Sequence, residues 1–299
     1  MAFNLSFRST PATLATALML GTAGLVAGAV VTPLLAQDAT VEAAPADFIN
    51  DPEARGTTAE AQKGYDIAAR SDRTDHGYGN SRVNFTMVLR NSAGQEATRE
   101  VNITTLEKPD ETVGDKSLVI FETPADVRGT ALLSHAKILE PDDQWLYLPA
   151  LKREKRIASA NKSGPFVGSE FAFEDFTTQE LNKFTYKFIS EGELDGMAVD
   201  IIERYPRYEN SGYTRQVSYT DQEIFQVRKV EFYDRRDALL KTLTLEDYRE
   251  YDNGVYRAHK FTMVNHQTNK ETDLVYEEYE FGLGLDENDF VKGVLRRIR

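Results

Sequence analysis

Four histidines, 48 acidic side chains and no cysteine limit the chemistry open to this 299-residue chain. Without cysteine it has no disulfide, thiolate nucleophile or cysteine-bound zinc, and no N-terminal Cys to acylate. His76, His135, His259 and His266 are scattered, and only the last two share an expected hairpin. No pair has the i, i+4 spacing of a helical zinc motif, so no metal is expected. Phosphate-binding Gly-Lys-Ser/Thr loops, dinucleotide fingerprints and Gly-x-Ser-x-Gly elbows are absent. Asp72, Asp75 and His76 are near enough in sequence to imitate an acid–base pair, but a helix-terminal Asp beside an exposed His explains them more simply. With 48 acids, two neighbouring carboxylates say little about glycoside chemistry. The chain reads as a non-enzyme without a cofactor; an enzyme using scattered carboxylates in a cavity is the least supported alternative.

The most informative stretch is residues 142–176. In Trp145-Leu146-Tyr147-Leu148 aromatic and aliphatic side chains alternate, so both faces of a strand would be apolar. Such a strand is buried on both sides, or has a core on one side and a lipid-sized hollow on the other. Lys152, Arg153, Lys155 and Arg156 then put four positive charges within five residues of a chain whose formal charge is −13. They form either a solvated turn and strand face or a patch for an acidic partner or lipid head group. Phe166, Phe171, Phe173 and Phe176 follow among Gly164, Gly168 and Ser169, as core anchors or as a movable lid.

These residues need a frame. The acidic balance argues against a nucleic-acid binder, whose affinity comes from Lys and Arg on phosphates, and against attachment to membranes by broad basic patches. Residues 1–36 carry one charge, Arg8, followed by an apolar run ending Leu34-Leu35-Ala36, which resembles a secretory signal peptide cut near Ala36. The alternative is an uncleaved inner-membrane anchor, because the run reaches the ~20 residues that span a bilayer. Residues 37–57 read as a flexible lead-in, and residues 58–299 as one domain. A helix is predicted from Thr58 to about Arg73, weakened by Gly64.

Beyond it the period changes to two. Val83, Phe85, Met87 and Leu89 alternate with polar residues, Asn91-Ser92-Ala93-Gly94 turns the chain, and Val101 and Ile103 return. Further strand candidates follow from residues 117–122 to residues 271–281, separated by turns such as Asp252-Asn253-Gly254. Roughly a dozen antiparallel strands favour one curved sheet or barrel over two domains. Asp286 with Asp289, then Phe290, Val294, Leu295 and Ile298, predicts a short closing helix.

The run Trp145-Leu146-Tyr147-Leu148-Pro149-Ala150-Leu151-Lys152-Arg153 with Arg156-Ile157-Ala158, then Phe166-Val167-Gly168-Ser169-Glu170-Phe171 and Glu174-Asp175, resembles the outer-membrane lipoprotein-sorting-like family. That family sits in the superfamily of the periplasmic lipoprotein carrier and its outer-membrane receptor. Gly129-Thr130-Ala131-Leu132-Leu133 and the closing helix fit as well, over about residues 60–299. The resemblance implies a mainly β fold with flanking helices: a half-open antiparallel β-barrel enclosing an apolar cavity for acyl chains. It implies a periplasmic carrier or chaperone of outer-membrane biogenesis, binding a lipid or lipoprotein and working with an inner-membrane exporter of the resistance-nodulation-division (RND) type. The alternative is a non-enzymatic accessory subunit that docks on a transporter without carrying lipid. Phe85, Met87, Trp145, Tyr147 and Phe173 are the candidates for facing the cavity, and Lys152, Arg153, Lys155 and Arg156 for meeting the partner. Some relatives are lipoproteins; with no Cys, this chain is expected to be free in the periplasm and monomeric.

Overall fold

Thr58 starts the main helix. In the computed structural model, which describes residues 51–108 and 113–298, its side chain accepts a hydrogen bond from the Ala61 amide at 3.1 Å and opens α2 (Ala59–Arg73). Glu60 in the first turn and Arg70 and Arg73 in the last suit the helix dipole. Gly64, which weakens the helix locally, has a structural reason. A Cβ there would stand 2.8 Å from the Phe188 amide nitrogen, so only glycine lets α2 lie this close to the strand beneath. Residues 51–57, within the expected lead-in, are described and make contacts with the domain. Asp51 caps α1 (Pro52–Arg55), Ala54 is fully buried, and Asp51 pairs with Arg207 at 2.6 Å. The expected signal peptide, and residues 37–50 of the lead-in, lie outside the described residues.

Fourteen strands among the described residues form one antiparallel sheet. The first meander comprises β1 (Asn80–Arg90), β2 (Glu96–Leu106), β3 (Lys116–Thr123), β4 (Ala131–His135), β5 (Asp143–Leu148) and β6 (Arg153–Arg156). The second comprises β7 (Phe184–Leu194), β8 (Met197–Pro206), β9 (Tyr213–Asp221), β10 (Val227–Asp234), β11 (Leu239–Glu250), β12 (Tyr256–Asn265) and β13 (Lys270–Tyr276). They join where β1 pairs with β13, and β14 (Glu280–Phe281) also pairs with β1. The edges β6 and β7 do not meet, so the barrel is half open. Turn chemistry sets the hairpins: Asp195 and Gly196 both have positive φ between β7 and β8, the conformation that matches strand twist in a two-residue loop.

Register assigns the faces. Phe85 opposes Val101, Val101 opposes Phe121, and Met87 opposes Leu274, so these side chains share the inner face. Tyr65 of α2 meets Tyr186 of β7 edge-on at 5.8 Å, which seats the helix on that face. The outer face of β3–β5 is also covered. Leu118, Leu133 and Tyr147 pack with Phe290 and Leu295 from the C-terminal segment. That segment corrects the expected closing helix: it forms two 3-10 turns, Glu287–Phe290 and Lys292–Arg297, with extended Val291 between them. A stretch this short is not helical on its own, and contact with the sheet decides its shape. No helix among the described residues is long and apolar enough to cross a membrane.

Candidate functional site

The inner face is partly filled by the loop between β6 and β7. Phe166, Phe171 and Phe176 are buried there, with the Phe166 and Phe176 ring centroids 4.3 Å apart and Phe121 of β3 5.6 Å from Phe166. Polar contacts fix this plug. Lys241 on β11 donates to Asp175 at 2.7 Å and to the Glu170 carbonyl at 2.9 Å, and the Tyr213 hydroxyl donates to Asp175 at 2.8 Å. Glu174 accepts from the Gly212 amide at 2.8 Å and the Ser211 hydroxyl at 2.9 Å. Burial, with Asp175 beside it, pushes the Glu174 carboxyl above its usual range. A Cβ on Gly212 would stand 2.8 Å from Glu174 Oε1, so this position keeps the carboxylate's seat open. The loop is an anchored aromatic core, which answers the choice between anchor and lid.

Beside the plug the sheet leaves a cavity of about 420 Å³ under α2. Ala68 and Ser71 form its helical wall, and Val230, Leu243, Leu245 and Phe261 form the apolar part of its sheet wall. Arg204, Ser218 and Thr220 form a polar part on β8 and β9. The volume falls in the range of small-molecule sites, roughly 300–1,000 Å³. Asp72, Asp75, Asp175 and Arg257 also line it, so this partly open space offers van der Waals surface together with many hydrogen-bonding and charged groups. Among the described residues no group of three or more His, Asp or Glu is placed to hold a metal ion.

A family model described as an uncharacterized protein matches residues 114–297. The crystal structure of a domain named as a candidate outer membrane lipoprotein-sorting protein, from Vibrio parahaemolyticus, is 47% identical, covering 79% of this chain and all of that one, with a TM-score of 0.77. The chain belongs to the outer membrane lipoprotein-sorting-like family. A DUF1329 family protein from Desulfovibrio piger is similar at 26% identity over 80% of this chain and all of its own, with a TM-score of 0.75. A LolA superfamily protein from Nitrosomonas europaea, 19% identical over 79% of this chain and all of its own at a TM-score of 0.63, shares the fold. No curated protein matches the sequence.

Within this lipoprotein-sorting-like fold the five expected cavity residues separate into two groups, and none lines the 420 Å³ cavity. Phe85 and Met87 do face inward but are sealed in the core beneath the plug, and Phe173 packs edge-on against Phe166 at 5.5 Å. Trp145 and Tyr147 point the other way. They lie on the outer face with the C-terminal segment, where Trp145 also meets His135 edge-on at 5.1 Å. Strand β5 is therefore buried on both sides: Gln144 on its inner face is fully buried and donates to the Phe173 carbonyl at 2.8 Å. The basic cluster is brought together as a surface. Lys152, Arg153, Lys155 and Arg156 are all exposed on and beside edge strand β6, with Leu151 62% exposed next to them. Arg156 is partly neutralised by Asp143, to which its Nε donates at 3.0 Å. Glu174 and Asp175 are the pins of the plug. Sequence reasoning missed Arg204, Ser218, Thr220 and the β10–β12 lining.

Proposed function

We propose that this protein is a periplasmic carrier that shelters the acyl chain of a lipid or lipoprotein in the cavity beneath α2. The observation that carries this reading is a partly open space of about 420 Å³ whose sheet wall, at Val230, Leu243, Leu245 and Phe261, is apolar. Each methylene removed from water contributes ~0.8 kcal/mol, so a chain of about a dozen methylenes offers on the order of 10 kcal/mol before binding costs. Lost freedom and ordering offset much of that, leaving an affinity suited to pick-up and release. The family's lipoprotein-sorting relative supports the same cargo class. Delivery to the periplasm rests on residues 1–36 acting as a cleaved signal peptide.

In this reading the partner is an RND-type inner-membrane exporter, and its dock is the exposed Lys152, Arg153, Lys155 and Arg156 surface. Positive charge on an acidic protein steers association with an acidic partner in a salt-dependent way. Reversing Lys152 and Arg153 to Glu should leave folding intact and slow cargo transfer at low salt; transfer at the normal rate removes the docking role. The cargo claim is tested by titrating a fluorescent fatty-acyl probe. Wild type should bind it, and Ala68→Trp, which pushes a ring into the cavity from the α2 side, should abolish binding. Wild-type protein that takes no probe contradicts the proposal.

A further inference from the structure

The cavity is not uniformly apolar. Following the inward-facing register from β8 to β12, Arg204 opposes Gln216, Ser218 opposes Val230, Val230 opposes Leu243, and Leu245 opposes Phe261. Along these positions polar residues line the β8–β9 end and aliphatic and aromatic residues the β10–β12 end, while Ile202 on β8 and Tyr248, Tyr256 and Arg257 on β11 and β12 also line the cavity. Strands are spaced about 4.8 Å apart, so the two ends are separated by up to about 19 Å along the sheet.

At the polar end the Arg204 side chain is held but not neutralised. Its Nε donates to Gln216 Oε1 at 2.7 Å and its guanidinium lies 4.9 Å from the Phe184 ring centroid. Among the described residues no carboxylate is within ion-pair distance of it. The carboxylates lining the cavity are otherwise engaged: Asp175 with Lys241 at 2.7 Å, Asp75 with Arg257, and Asp72 with His76, whose Nδ1 is 3.6 Å away. Ser218 and Thr220, 2% and 3% exposed, line the cavity next to Arg204, and neither hydroxyl has a side-chain hydrogen-bond partner among the described residues. The half-buried guanidinium, with no carboxylate beside it, and two cavity-lining hydroxyls without partners among the described residues leave hydrogen-bonding groups for a ligand to complete. An anionic head with several acceptor oxygens would do so, and a planar guanidinium suits a carboxylate.

Size narrows the class further. With about 30 Å³ for each water-sized group, a cavity of about 420 Å³ holds on the order of 14 methylenes, one chain rather than several. We propose that the ligand is a single-chain lipid with a carboxylate head, the head meeting Arg204, Ser218 and Thr220 and the chain lying along Val230, Leu243, Leu245 and Phe261. This rests on the acyl-carrier reading and specifies its cargo.

The test is a competition titration of the full-length secreted protein with myristate, tetradecanol and methyl myristate, displacing a fluorescent fatty-acyl probe. Myristate should displace the probe at least tenfold more tightly than either neutral ligand. Arg204→Met should bring myristate down to the tetradecanol value, while Arg204→Lys, which keeps a cation on an alkyl stem, should keep most of the preference. If Arg204→Met does not fold, the wild-type ratio of myristate to tetradecanol decides alone. Equal affinity for the acid and the neutral ligands, or a preference that survives Arg204→Met, overturns the carboxylate assignment and leaves the carrier reading standing. Failure of all three ligands and the probe to bind overturns both.

Discussion

Replacing Lys241 with Met should be among the most damaging single changes in this protein. Lys241 and Asp175 have side chains only 4% and 9% exposed and meet at 2.7 Å, so the pair sits between the plug and strand β11 with little water. Removing the cation leaves Asp175 buried, with Tyr213 and the Ala172 amide as its remaining donors. Breaking one side of a buried pair costs about 3–5 kcal/mol, because the surviving charge keeps its desolvation penalty. At roughly 2–4 °C per kcal/mol for a domain of this size, thermal unfolding should fall by roughly 6–20 °C. Lys241→Met with Asp175→Asn should recover part of the loss, since the stranded charge is gone. Circular dichroism melts and urea titrations of the two single variants and the double variant measure this. A single variant within about 1 kcal/mol of wild type, or a double variant no better than Lys241→Met, would refute the view that this pair pins the plug.

Three other outcomes are expected. Trp145→Ala should cost about 2 kcal/mol in urea unfolding, less than the ~3–5 of a fully buried aromatic, and leave acyl-probe affinity at the wild-type value because Trp145 is on the outer face. Gly64→Ala should destabilise by about 1–3 kcal/mol through contact with the Phe188 backbone, exceeding the ~1 kcal/mol that alanine contributes to a helix, as a urea midpoint would show. Asp115 accepts from the Lys108 amide at 2.7 Å and the Tyr78 hydroxyl at 3.0 Å, and burial with Glu180 nearby pushes its carboxyl up to about 7. The folded chain holds a proton there that the unfolded chain releases near pH 4, so its stabilising contribution is complete below about pH 4 and lost as pH rises to about 7. Asp115→Asn should therefore gain on wild type between pH 4.5 and pH 8, and unfolding midpoints that run parallel across that range would disprove it.

The strands were legible because period-two alternation and turn residues are local signals. Val83, Phe85, Met87 and the Asn91–Gly94 turn mark β1 and its hairpin without any knowledge of the rest of the sheet. The faces of β5 were not legible, because both its odd and its even positions attract apolar neighbours. What covers Trp145 and Tyr147 is Phe290 and Leu295, more than 140 residues further along the chain. The cavity was hidden for a different reason. On β9 the inward residues are Gln216, Ser218 and Thr220, while apolar Val217 and Tyr219 alternate with them on the opposite face. Alternation read alone would turn that strand around. Arg204 likewise looks like a surface charge until the register places it opposite Gln216. The exposure of the basic cluster was readable, since four charges within five residues stay in water; Lys152 precedes edge strand β6 and Arg153, Lys155 and Arg156 lie on it.

The central claim is that the space beneath α2 carries a lipid chain, and native mass spectrometry of protein purified from its own host without detergent addresses it most directly. The account predicts a population heavier than the bare secreted chain by the mass of one single-chain lipid, released on collisional activation and absent from Ala68→Trp. A bare mass for the wild type under conditions that preserve the fold would contradict it.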